Sequence, residues 1–262
     1  MQSQPGIILR GIKYVMDMVN ADKAVIAVKD KNKIYAMEIA KLIKDEKNIT
    51  IQFLPDIYPV GDERVIVREV LGVVLLPGQL PLAAGAVVSN VETIKRVAEA
   101  IELKKPVITK DFTVTGRVQD GVNVFLDEPI GFNVQKYIDA CKGVIEPSGE
   151  IIIGGPFTGK SGSACSVVTK TTGGVIVAMP FPDHARKFGL LACECGGDEG
   201  RLTEIAQAMG GDVVASAMCK RMVEVNGRYR CDEPGNCPGQ AEKILGLKAA
   251  GADAVLIGSC ED

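Results

Sequence analysis

The sequence predicts an α/β protein with more than one domain, on three observations. At 262 residues, 47% of them hydrophobic, the chain has room for two small cores. Near both ends, segments of helical period alternate with short β-branched runs. Between them the period switches to two, the mark of half-buried strands.

The elements follow in order. Residues 8–19 set apolar side chains at helical spacing, AVIAV at 24–28 is a strand, 33–44 returns to the helical period, and 49–54 is a second strand. In YPVGDERVIVREVLG, Asp62 and Glu63 sit in the first turn of a short helix, where negative charge suits the macrodipole. Asp62, Glu63, Arg64 and Arg68 read as a solvated helix face. The uncharged stretch 70–91 is long enough to cross a bilayer, but Pro77, Gly78, Gln79 and Pro81 interrupt it, so it reads as buried core and loop. Ser89 or Asn90 is then the N-cap of a helix over 91–103.

From Pro106 come two strands (VITKDFTVTGRV and GVNVFLD), a helix closed by Gly143, and the strand EIIIGG. That order fits a β-grasp-like module over 106–160. The Gly/Ser/Thr-rich stretch 161–174 is the expected linker. Residues 175–262 read as a second α/β unit with a mainly parallel sheet: strands VIVAM, GLLACEC, VVASAMC and AVLIGSC, with helices over 200–209 and 239–250. The run from Gly154 to Ser161 matches the phosphate-loop pattern G-x4-G-K-[ST] literally. A phosphate loop needs a helix starting at its Lys, and Ser161-Gly-Ser-Ala-Cys-Ser is a poor helix start, which argues against nucleotide hydrolysis.

Composition excludes further classes. With 30 Lys+Arg against 33 Asp+Glu, the net charge is −3, and no basic cluster exists to grip nucleic acid. Met1-Gln-Ser-Gln-Pro lacks a basic n-region and an apolar h-region, so the chain is expected to be cytoplasmic and not membrane-spanning. One histidine, His184, leaves little material for imidazole catalysis, and it reads as a surface or capping residue.

What remains is thiol chemistry. Of eight cysteines, Cys193, Cys195, Cys219, Cys231, Cys237 and Cys260 follow residue 190, and three of the four C-terminal strands end in cysteine. In open parallel sheets ligands collect outside the carboxyl ends of strands, so Cys193, Cys195, Cys219 and Cys260 are expected at one edge. The Pro/Gly-punctuated loop RYRCDEPGNCPGQ is expected to bring Cys231 and Cys237 over the same edge. Thiolates suit an iron–sulfur cluster, a thiol relay or zinc. Scattered buried thiols are the plain alternative, and the tight pair Cys193-Glu-Cys195 lacks the spacing of a zinc knuckle. Cys141 reads as core and Cys165 as an exposed incidental thiol.

YPVGDERVIVREVLG, LPGQLPLAAGAVVSNVETIKRV, ITKDFTVTGRV and IIIGGPFTG together resemble the C subunits of Rnf electron-transport complexes and the flavin-binding subunits of NADH dehydrogenases, over about residues 8–160. Within that group the chain is most similar to the proline reductase-associated electron-transfer proteins of the PrdC type. The fold implied is a partial Rnf C-type α/β region over 1–105, then a β-grasp (SLBB-like) module, then the small Cys-rich α/β domain. The resemblance assigns Asn90 and Glu92 to the lining of a flavin mononucleotide site. The glycine-rich loop that cradles the flavin phosphate in those families is absent from this chain, which argues against FMN. The stretch from LLACECGGDEGRL to AGADAVLIGSCED resembles the delta subunit of methyl-viologen-reducing hydrogenases. That likeness implies metal-ligand roles for Cys193, Cys195, Cys219 and Cys260, and by extension for Cys231 and Cys237. The ending at Ser-Cys-Glu-Asp suggests a fragment, or a frame cut at a selenocysteine codon. The expected function is electron transfer through an iron–sulfur centre or thiol relay to a reductase of the proline or glycine type, with that reductase's subunits as partners. The chain would be an oxidoreductase subunit or carrier, not a stand-alone catalyst. A docking subunit without a centre and a flavin-dependent NADH-oxidising subunit are the alternatives.

Overall fold

The computed structural model describes residues 4–156 and 158–258. The chain is mixed α/β, with parallel strands in several sheets, and divides into two compact units, 1–107 with 225–237, and 108–224 with 238–261.

In the first unit, α1 (Pro5–Val19) starts with Pro at its first turn and ends on Asn20 in the left-handed conformation. The strands β1 (Ala24–Lys29) and β2 (Ile49–Leu54) pair in parallel around the helix α2 (Lys33–Leu42). Asp62 caps α3 (Glu63–Leu71), its carboxylate accepting from Arg64 N and Val65 N, and Asn90 caps α4 (Val91–Leu103). The core joins Ile8, Ile12 and Met16 of α1 to Ile39, Ile43, Ile49 and Ile94. Gly11 lets α1 approach α4 closely, because a Cβ there would overlap the Ile94 carbonyl. At the rim of this contact Arg10 donates to both carboxylate oxygens of Glu102, at 2.7 and 3.0 Å. Among the described residues no helix is long and apolar enough to cross a membrane. The stretch 70–91 departs from the expected burial: Leu75 and Pro81 are buried, whereas Val74, Leu76, Leu80 and Leu82 are exposed. Its prolines and glycines limit it to a short 3-10 helix, Pro81–Ala84, between irregular segments.

The second unit holds two sheets. β3 (Thr109–Gly116) and β4 (Asn123–Pro129) form an antiparallel pair, followed by α5 (Val134–Ala140), β5 (Ile151–Ile153), β6 (Lys160–Gly162) and β7 (Gly174–Val177). The sheet order is β4-β3-β7-β5-β6. Lys160 and Ser161 therefore lie in a strand, so the literal phosphate-loop match has no helix behind it. Expected as the first strand of the C-terminal unit, β7 instead completes this sheet, parallel to β3 and antiparallel to β5. Its burial explains why: Val175 and Val177 join Phe112, Val114, Tyr137, Ile138 and Cys141 in one core. Tyr137 lies edge-on to Phe112, with centroids 4.8 Å apart, and its hydroxyl donates to Glu128 at 3.1 Å.

The other sheet is all parallel. It begins with β8 (Lys187–Ala192), α6 (Glu199–Ala208) and β9 (Asp212–Met218). A hairpin of β10 (Met222–Val225) and β11 (Arg228–Cys231) leads away through Asn226 and Gly227, both at positive φ, as a tight hairpin turn requires. The chain returns as α7 (Ala241–Ala249) and β12 (Ala254–Ile257), giving the order β12-β8-β9. Phe188, Leu190 and Ala192 pack on Leu202 and Ala206 of α6. On the opposite face, Gly189 leaves room for Leu247 of α7. Cover on both faces is why β8 reads as an unbroken apolar run.

Candidate functional site

The parallel sheet sets the site. β8, β9 and β12 all point the same way, so the segments that follow them emerge at one edge. Cys193 follows β8 directly, and Cys219 follows β9. The Cys219 N–H donates to the Ala192 carbonyl at 2.9 Å, extending the ladder one step past the strands. The loop Cys193-Glu-Cys195-Gly-Gly then folds back: Cys193 N donates to Gly197 O at 3.1 Å, Gly197 N to Gly258 O at 3.0 Å, and Gly258 N to Leu191 O at 2.8 Å. This crossing needs glycine. A Cβ on Gly196 would overlap the Gly258 carbonyl, and one on Gly258 would overlap the Gly197 carbonyl.

Cys193, Cys195 and Cys219 are all buried, and their sulfurs meet. The Cys195 thiol hydrogen-bonds to Cys193 Sγ, and this above all holds the Cys193 thiol down at about 6. Burial opposes the shift, the Cys195 backbone N–H and the Cys219 thiol add to it, and the Glu194 charge works against it. Two further groups complete the rim. The Gln240 carboxamide donates to Cys219 Sγ at 3.1 Å, and Glu194 N–H donates to Met222 Sδ at 3.4 Å. Cys260 lies outside the described residues.

Cys231 and Cys237 belong to the segment 225–237, which clusters with the first unit. There α3 holds their loop. Arg64 donates to the carbonyls of Cys231 at 2.7 Å, Leu75 at 3.0 Å and Asp232 at 3.1 Å, and Arg68 donates to Pro234 O at 2.9 Å. This corrects the reading of these arginines as a solvated face. A guanidinium is a planar fork that satisfies several carbonyls at once, and here a loop distant in sequence supplies them. Cys231 is buried at the end of β11, and Cys237 is exposed. Cys141 is core, its thiol pushed up by burial and by Asp120, whereas Cys165 and His184 are exposed.

The Asn90 side chain accepts from Glu92 N at 2.8 Å, and the Glu92 carboxylate lies 3.6 Å from Arg96. Both are engaged at the start of α4.

Comparison with known proteins places the chain. Residues 1–99 match the family model described as the Nuo51 FMN-binding domain. Over 178 residues the chain is 34% identical to the cobalamin reductase PduS of Salmonella typhimurium, covering 68% of this chain and 39% of that protein. It is 30% identical over 171 residues to the C subunit of the proton-translocating ferredoxin:NAD(+) oxidoreductase complex of Clostridium ljungdahlii, covering 64% and 37%. Against the C subunit of the Na(+)-translocating complex of Acetobacterium woodii the identity is 32% over 178 residues, covering 67% and 40%. The chain belongs to the Rnf C-like family. It spans about two fifths of the length of these three relatives.

For an Rnf C-like chain, two cofactors come into question. Of the two residues that the family resemblance assigns to flavin, Asn90 caps its own helix and Glu92 faces Arg96. The sulfur rim fits better by chemistry, since three converging thiols are the soft donors that iron–sulfur clusters use. Among the described residues, however, no group of three or more His, Cys, Asp or Glu side chains is arranged to hold a metal ion, and the three sulfurs bond one another instead.

Sequence reading missed Gln240, Met222 and the Gly196–Gly258 crossing. Only Gln240 left a trace. Glutamine is an uncommon choice at the N-cap position of a helix, where Ser, Thr, Asp or Asn is favoured.

Proposed function

We propose that this chain is an electron-transfer subunit of a multi-subunit redox complex, and that the rim of Cys193, Cys195 and Cys219 carries its centre. The observation behind this is the meeting of three buried sulfurs at the carboxyl edge of β12-β8-β9. In this reading the centre is an iron–sulfur cluster, which supplies one-electron transfer when bound, and Cys260 belongs to its ligand set. Cys231 and Cys237 are proposed as further ligands of the same centre. The relatives support the class, since they are subunits of ferredoxin:NAD(+) oxidoreductase complexes and a cobalamin reductase. The acceptor proposed is a reductase of the proline or glycine type, and the compartment the cytoplasm.

Anaerobic purification with iron and sulfide assays and a visible spectrum tests this. The expected result is a coloured protein whose iron and sulfide disappear in the double variant Cys193→Ser, Cys219→Ser. A colourless, iron-free protein with freely alkylated rim thiols overturns it.

The match of residues 1–99 to an FMN-binding domain favours a second reading, flavin on the first unit. Release of FMN on denaturation would support that reading, and flavin-free protein would end it.

A further inference from the structure

The two edges of the five-stranded sheet differ. One is β6, three residues long and carrying Lys160, and a short charged strand is a poor template for another chain. The other is β4, whose one hydrogen-bonded neighbour among the described residues is β3. The register of this pair shifts between Lys110 and Phe112, where Asp127 takes φ 54°, so regular pairing stops at Leu126. From Val122 to Leu126 the strand alternates and includes no Lys, Arg or Pro. Phe125 packs on Phe112 and Tyr137 in the core, whereas Val122, Val124 and Leu126 line the opposite face, 70%, 65% and 61% exposed. A half-buried sheet normally turns polar residues to water, and this edge turns three aliphatic ones.

The row is complementary to itself. An antiparallel pair of β4 strands about a two-fold axis at Val124 sets Val124 beside Val124 of the second copy and Val122 beside its Leu126, all on one face. The charges agree with that register. Asp127, exposed at one end of the row, meets the other end of the second copy, where exposed Lys142 lies 2.7 Å from Asp120. An ammonium has three donors, and Asp120 takes one. We infer that β4 is a self-association edge, which pairs antiparallel with β4 of a second copy of this chain and makes one continuous sheet across the dimer. The inference does not depend on the function proposed above, since no thiol or cofactor takes part.

Sedimentation velocity of the full chain under reducing conditions tests this. With rising concentration, monomers of 27.8 kDa should convert to dimers. Hydrogen exchange compared at low and high concentration should slow across 122–126 and stay unchanged at β6. Val124→Lys sets two cations side by side on the axis and should abolish the dimer. Lys142→Glu should weaken association about tenfold, because the dimer holds two copies of the contact. Adding Asp127→Lys should restore it, since the double variant exchanges the charges at both ends. All three positions are exposed, and thermal unfolding at low concentration checks that each variant folds as the wild type does. A monomer at every concentration leaves the edge to some other chain and overturns the inference. So does a dimer that persists in Val124→Lys or forms without protection at 122–126, and a charge exchange that fails to restore association overturns the register. An iron-free protein, which ends the proposed function, leaves this result as it stands.

Discussion

Two loops of this chain carry paired cysteines, and they are held in opposite ways. In the second unit, Cys193, Cys195 and Cys219 are bonded through their sulfur atoms, to one another and to Gln240. In the first unit, the loop of Cys231 and Cys237 is bonded through its backbone, by Arg64 and Arg68 gripping carbonyls. Bonds to sulfur alter the chemistry of the thiol, whereas bonds to the neighbouring carbonyls act on its position. Cysteine spacing alone does not distinguish these cases.

The rim is the more brittle of the two. Gly196→Ala drives a Cβ into the Gly258 carbonyl, and because the obstacle is backbone, relief requires the crossing to open. The expected cost is about 3 kcal/mol in chemical denaturation, with Cys193 and Cys195 becoming rapidly alkylated and Cys231 unchanged. A variant with wild-type stability would mean that the crossing does not hold the rim together.

The sulfur bonds of the rim also predict a pH dependence. The folded Cys193 thiol at about 6 lies below its ordinary 9.0. The stability linked to it is fully present above pH 9 and is lost as pH falls through 6. Denaturation of metal-free protein at pH 5.5 and at pH 8.5 should therefore show higher stability at the higher pH. The difference should shrink in Cys195→Ala, which removes the side-chain donor to the Cys193 sulfur. Equal shrinkage in Cys231→Ser would erase the distinction between the loops.

Arg64→Ala tests the backbone-held loop. Carbonyls of Leu75, Cys231 and Asp232 lose a shared donor, at a cost of about 2 kcal/mol. Hydrogen exchange should rise across 225–237 and Cys231 should label faster, with Cys219 unaffected. If Cys231 stays protected, its burial comes from β11 and not from the arginine. The smallest effect belongs to the exposed apolar stretch. Leu80→Ser and Leu82→Ser, at positions 70% and 73% exposed, should each change stability by less than about 0.5 kcal/mol. A larger loss would show that this stretch is covered in the intact protein.

Much of the fold was legible because its signals are local. Asp62 and Asn90 announce their helices through the short polar side chain that a cap needs, and both cap as expected. The strand 49–54 and the helix 91–103 follow directly from their periods. The strand at 174–177 misled for a physical reason: a short apolar strand carries no mark of which sheet it joins, and β7 went to β3. For the same reason Arg64 looked solvated, since its partner Cys231 lies 167 positions away.

The amino-acid order by itself determined the alternation of helices and strands and the cysteines at the ends of β8 and β9, because period, caps and strand ends are properties of neighbouring residues. Tertiary structure alone decided which sulfurs touch, that Gln240 reaches Cys219, and that glycines meet where β8 and β12 end. Those are contacts between segments whose separation along the chain leaves no periodic trace, and they exist only once the strands lie side by side.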